Sequence, residues 1–260
     1  MKRLLLALGD ARIDVIDEGA GPAIVLLPSS LRDSEDFGEL ASLLARAGMR
    51  VLRPQPRGMG RSSPPPPGMT LATLAADVAG VIETLAEGPA IVAGHAYGHW
   101  VARVTDHLYP ALVRGVIAIG AAARVFPGGM AEALAIASDL DRADEERLAA
   151  LRLCMFASGS DPGAWLHGWH PRWRAAYRAA SQLPPREDWY AATHAPLLDL
   201  QGAQDAWRPP ATRRELVDAL GSGKVTVEVI EHAGHALVPE QPAAVAQAIL
   251  GWMHRLDNPA

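Results

Sequence analysis

Short continuous apolar runs alternate along this chain with segments of helical spacing, and that alternation leaves few folds open. "AIVLLP" (Ala23 to Pro28) shows no in-out alternation, so the run reads as a strand buried on both faces, in the middle of a parallel sheet. Ile91 to Ala93, Val113 to Ile119, "APLLDLQG" (Ala195 to Gly202) and "KVTVEVI" (Lys224 to Ile230) read as further strands, with a shorter one at Arg50 to Arg53. Between them, helical spacing covers Phe37 to Ala47, Thr70 to Ala86, Gly98 to Tyr109, Pro210 to Leu220 and Pro242 to Leu256. In the second of these Thr70 is placed to cap the helix, and Leu71, Leu74, Val78, Val81, Ile82 and Leu85 share one face. Leu4–Leu8 and Ile13–Ile16, divided by Gly9-Asp10, predict an opening hairpin, and Pro64–Pro67 a stiff loop. The expectation is an α/β fold: a mainly parallel central sheet with helices on both faces. The alternation stops over residues 123–193, which read as helices and loops. The organisation expected is therefore a core of 1–122 and 194–260, interrupted by a helical cap at 123–193.

With 260 residues, 49% of them apolar, the chain can fill a substantial core. A formal charge of −5 gives no basic surface to track phosphates, so a nucleic-acid partner is not expected. The N-terminal "MKRLLLALGDARIDV" carries an apolar stretch that Asp10 and Arg12 end too early for a secretory signal or a membrane span. No membrane association is expected, and a cytoplasmic location is the default reading. The single Cys154 sits in an apolar run and reads as a packed thiol. A homodimer is left open.

"IVAGHAYGHWVARV" (Ile91 to Val104) joins a strand to a helix through Gly94-His95-Ala96-Tyr97-Gly98. That is the form of a nucleophile elbow, G-x-S-x-G, in which a sharp turn exposes a serine hydroxyl. Here the central residue is Ala96. Two later segments supply what an elbow needs. "QGAQDAW" places Asp205 just past a strand, where catalytic groups collect in open α/β sheets. "EHAGHALVPEQP" places His235 in a Gly-containing loop after the last strand. The order elbow, acid, histidine is that of one version of the Ser-His-Asp triad.

Over essentially its full length the chain resembles the α/β-hydrolase superfamily. The resemblance is carried by "VLLPSS", "PQPRGMGRS" (Pro54 to Ser62), "GHAYGH", "GAQD" and "AGHALVPEQP". It implies His235 as a base, Asp205 as the residue that orients it, and Ala96 at the nucleophile position. It also implies an oxyanion hole built from the backbone N–H of Tyr97 and a residue of the Ser29-Ser30-Leu31 loop. Three departures stand out. Pro28-Ser29 replaces a His-Gly pair, Gln55 replaces an aspartate with a structural role, and Ala96 replaces the nucleophile.

A methyl group cannot attack a carbonyl. Three readings follow: a serine-hydrolase framework disabled by an engineered change at Ala96; a native alanine beside a His235–Asp205 base; or a non-catalytic ligand-binding protein. Gly98-His99-Trp100, where a second glycine or small residue is usual, suits a divergent subfamily with a native alanine. The base reading covers water activation or proton abstraction, as the resemblance implies for some lyases and cofactor-free oxygenases. The expected substrate is a small carbonyl compound such as an ester or lactone, with no cofactor.

Substrate identity belongs to the insertion. "AWLHGWHPRWRAAY" sets Trp165, Trp169 and Trp173 four residues apart, as one helical stripe. The stripe packs against the core, and Trp165 and Trp169 are candidates to line the pocket together with His99. His95 reads as a packing residue. Ser29 and Ser30 carry the hydroxyls nearest the elbow. His167 and His170 lack further ligands at usable spacing, so no metal is expected.

Overall fold

In the computed structural model, which describes residues 1–258, eight strands form one sheet. They are β1 (Lys2–Leu8), β2 (Ala11–Gly19), β3 (Ala23–Leu27), β4 (Arg50–Pro54), β5 (Ala90–His95), β6 (Val113–Ile119), β7 (Leu197–Gly202) and β8 (Val225–Ile230). Their order across the sheet is β1-β2-β4-β3-β5-β6-β7-β8. β2 pairs antiparallel with β1 and β4, and every pairing from β4 through β8 is parallel. Parallel neighbours require crossovers, and helices supply them. The crossover helices are α1 (Gly38–Arg46), α2 (Leu71–Leu85), α3 (Tyr97–Leu108), α4 (Met130–Ala137), α5 (Asp144–Cys154), α6 (Arg174–Ala180), α7 (Arg186–Trp189) and α8 (Glu215–Leu220), and α9 (Leu237–Glu240) and α10 (Pro242–Asp257) follow the last strand.

The central strands are apolar throughout because each face has its own core. Ile24 and Leu26 of β3, Ile91 and Ala93 of β5, and Ile117 and Ile119 of β6 pack with Leu40 and Leu44 of α1 and Val245, Ile249 and Trp252 of α10. The alternate residues Val25, Leu27, Val92, Val116 and Ala118 face Leu74 and Val78 of α2 and Val101 and Val104 of α3. A strand's two-residue side-chain period thus feeds two separate layers. The chain runs from β3 to β4 in one direction and then returns to β5 on β3's other side. That reversal opens a crevice at the carboxyl ends of β3 and β5, the place where α/β sheets bind ligands.

Local expectations meet the structure with small differences. The hairpin pairs Lys2 with Asp17 through Leu8 with Ala11, so both strands outrun the apolar residues that predict them. Thr70 caps α2 by accepting from the Thr73 N–H at 3.1 Å, while the Thr73 hydroxyl accepts from the Thr70 N–H at 3.2 Å. This is a capping box in which threonine takes the place of the usual Glu or Gln. The predicted helix at Pro210 to Leu220 divides into a 3₁₀ turn, Pro210–Thr212, and α8. Residues 120–196, between β6 and β7, carry α4 to α7 and none of the eight strands. The helical stripe predicted for Trp165, Trp169 and Trp173 does not form. Gly163–Leu166 and Pro171–Trp173 are separate 3₁₀ turns, broken at Gly168 in a left-handed conformation (φ 78°) and by Pro171, which cannot continue a helix.

Candidate active site

Ala96 follows β5 directly and has φ 46° and ψ −115°, a backbone conformation that L residues avoid. Holding it costs on the order of 1–3 kcal/mol, which the surroundings must supply. They do so by interlock. A Cβ on Gly94 would sit 2.1 Å from the carbonyl of Gly98, and one on Gly98 would sit 2.3 Å from the Leu27 oxygen at the end of β3. Both glycines of the motif are therefore required by close backbone approach. The Ala96 N–H donates to the Ile119 oxygen at 2.9 Å, which fixes the turn to β6. Tyr97 opens α3, so its N–H belongs to the first turn and has no intrahelical acceptor. Ser29 and Ser30 follow β3, and Leu31 beside them has φ 64°.

Asp205 lies beyond β7 and His235 beyond β8. His235 Nδ1 stands 2.9 and 3.1 Å from the two Asp205 oxygens, with both side chains buried. A carboxylate accepts, so Nδ1 carries a proton, and in the neutral ring Nε2 is left with a lone pair. Several contacts hold this pair in place. The Trp207 N–H donates to Asp205 Oδ1 at 2.8 Å, and the Trp207 ring lies 5.5 Å from the His235 ring. His95 Nε2 donates to the His235 carbonyl at 2.8 Å. Glu240 accepts from the N–H groups of Gly234 and Ala157, both at 2.7 Å, joining the histidine loop to the insertion. Burial, helped by the neighbouring His235, pushes the His95 imidazole down to about 3, so it stays neutral.

Ala96, Tyr97, Ser29, Ser30, His99 and His235 all line one cavity of about 130 Å³. That is close to the roughly 150 Å³ that accommodates a benzene-sized molecule. The remaining wall is Trp100, Ala122, Phe126, Leu134, Met155 and Trp207. Trp165 and Trp169 are buried elsewhere. The Arg32 guanidinium lies 4.4 Å from the Trp165 ring centre and 4.7 Å from that of Trp169, and it also pairs with Asp36 and donates to the His167 carbonyl. The His170 N–H donates to the Leu31 carbonyl at 2.9 Å, so this clasp joins the insertion to the loop after β3. The aromatic wall comes instead from Trp100, Phe126 and Trp207. Trp207 stands two residues after Asp205 within "QGAQDAW", and Trp100 follows the elbow, so proximity to a motif was the signal available for both. His170 Nε2 meets Asp33 at 3.2 Å, and among the described residues no three His, Cys, Asp or Glu side chains come together as a metal site would need.

Residues 24–248 match the "Alpha/beta hydrolase family". The chain belongs to that family. Among curated relatives it is 34% identical over 112 residues to a 2-(acetamidomethylene)succinate hydrolase of Mesorhizobium japonicum, covering 43% of this chain and 40% of that one. It is 28% identical over 219 residues to a Mycobacterium tuberculosis protein named "Putative non-heme bromoperoxidase BpoC", covering 78% and 82% of the two chains. The match to the first thus spans well under half of that protein. Among solved structures, a thermophilic esterase from Thermogutta terrifontis superposes with a TM-score of 0.74 at 23% identity, over 98% of this chain and 99% of that one. At that identity the likeness is one of fold.

Proposed function

We propose that this chain acts on a small carbonyl compound, an ester or lactone, with His235 as general base and without a covalent acyl-enzyme. The observation that carries this reading is the buried His235–Asp205 pair, held at 2.9 Å beside an elbow whose strained turn persists with alanine at its apex. Ala96 and Tyr97 of that turn both line the cavity, which supports the reading. Because the Ala96 side chain ends in a methyl group, the attacking oxygen comes from water. His235 Nε2 takes the proton of that water as it adds to the carbonyl, and Asp205 stabilises the imidazolium that results. The Tyr97 N–H, with an N–H of the Ser29–Ser30 loop, receives the oxyanion. Collapse of the tetrahedral adduct returns the proton to the leaving oxygen, giving an acid and an alcohol, or a hydroxy acid from a lactone. The segment 123–193 serves as a cap over this site.

The name of one curated relative, a hydrolase matched over 43% of this chain, agrees with a hydrolytic reaction. The test is a panel of small esters and lactones, with product followed by mass for the native chain and for His235→Ala. Loss of the base is expected to slow turnover by about 10²- to 10⁴-fold. If ligands bind yet none is consumed faster by the native chain than by His235→Ala, the protein is a ligand binder and the proposal fails.

A further inference from the structure

We propose that His99 reads a hydrogen-bond donor on the substrate, so that the site selects carbonyl compounds bearing a hydroxyl or N–H group next to the reacting carbonyl. The inference rests on the cavity being the substrate site. His99 stands in the first turn of α3, and its Nδ1 bonds the Ala96 carbonyl three residues earlier. A carbonyl oxygen has no proton to give, so Nδ1 is the donor and the tautomer is set by the elbow itself. Nε2 then carries only a lone pair.

That lone pair faces accessible space. The ring lines the cavity, Nε2 has no protein partner among the described residues, and it is absent from the buried polar atoms sealed without one. The ring also stays neutral in acid: burial, reinforced by the nearby Arg103, Arg208 and Arg186 guanidiniums, holds its pKa well below the ordinary histidine range. His99 is therefore held as the neutral ring, in which Nε2 accepts.

Two imidazoles whose Nε2 atoms have no protein partner among the described residues, His235 and His99, thus line the cavity among apolar side chains. In the proposed reaction the first receives the proton of water, which leaves the second for the substrate. A site built to accept a proton discriminates against an isostere that lacks one, because its own polar atom is then left unpaired.

Methyl lactate and methyl isobutyrate test this, since they differ by a hydroxyl in place of a methyl group. Binding is measured by NMR titration of the full chain. Methyl lactate is expected to bind about tenfold or more tighter, and to shift the His99 Nε2 nitrogen resonance. His99→Asn keeps a short donor near the Ala96 carbonyl but removes the distal acceptor, so it should fold and lose the preference. His99→Gln, which carries an acceptor further out, should recover part of it. His235→Ala should lose turnover while keeping the preference, which separates failure of this inference from failure of the reaction proposed above. The inference is overturned if Nε2 of His99 is found protonated in the free protein. It is equally overturned if neither ester binds, if both bind alike, or if His235→Ala rather than His99→Asn abolishes the preference.

Discussion

The two sides of the cavity are built by different means. On the sheet side, Ala96, Asp205 and His235 each follow a parallel strand, and their backbones are gripped by neighbours that cannot yield, such as the Leu27 oxygen against Gly98. On the other side, residues 120–196 are short helices and 3₁₀ turns. They are held by side-chain contacts such as the Arg32 clasp and the Glu240 bridge. Under the proposed reaction, the difference separates what fixes reacting geometry from what sets the shape of the cavity. Reacting groups must be held to a fraction of an ångström, whereas a cavity wall can be rebuilt by exchanging side chains.

The sharpest way to test that division is to restore a nucleophile without touching the wall. If the sheet side alone carries the reaction geometry, Ala96→Ser should raise turnover of small activated esters by about 10³-fold or more, because loss of serine from a complete triad costs on the order of 10⁶. Unchanged rates in a folded Ala96→Ser protein with an open cavity would show that the wall also governs the chemistry.

Next in size is a backbone collision. Gly98→Ala would drive a methyl group into main-chain atoms of Leu27 and Pro28, and an expected loss of about 4 kcal/mol or more in urea unfolding follows from their rigidity. A loss under about 1 kcal/mol would mean that the elbow can relax.

The buried histidines give a smaller, graded signal. His95 and His99 are both depressed in the folded protein, His95 to about 3, while the unfolded chain protonates near 6.5. Below that pH the unfolded state binds more protons, so stability falls as the solution is acidified, by up to about 1.4 kcal/mol per pH unit for each histidine. Replacing His95 with Gln, which keeps a donor for the His235 carbonyl, should flatten the stability profile between pH 6 and 5 by nearly that amount. Parallel profiles for the two proteins would mean that His95 is not held neutral.

At the small end, a methyl group added at Gly128 in the insertion would meet nothing within 4 Å, and the residue has no positive φ. Gly128→Ala should therefore change stability by no more than about 0.5 kcal/mol in the same unfolding measurement. A larger loss would erase the contrast with Gly98.

The same contrast explains what could be read in advance. Continuous apolar strands and the Gly94–Gly98 motif are legible because backbone packing admits few residues there, and Asp205 and His235 could be placed by their position after strands. The strand order was not legible, since pairing partners lie far apart in sequence. The insertion was legible least. Spacing of four put Trp165, Trp169 and Trp173 on one stripe, but Gly168 and Pro171 break it, and a cation between two indoles leaves no local periodic trace. Nor did sequence reveal Glu240, whose two carboxylate bonds join the histidine loop to residue Ala157 across the fold.

Arg32 decides where the segment 120–196 is held most firmly. To lift the insertion at that end, the guanidinium must leave two aromatic faces and a carbonyl together, while its Asp36 partner stays with it. The cavity wall also contains Phe126, 44% exposed, which holds an edge-to-face contact with Trp207. A second hollow outside that wall shares Trp100 and Phe126 with the inner cavity. The segment 120–196 is therefore latched to the loop after β3 around Arg32, while at Phe126 a partly exposed ring is what divides the inner cavity from the outer hollow.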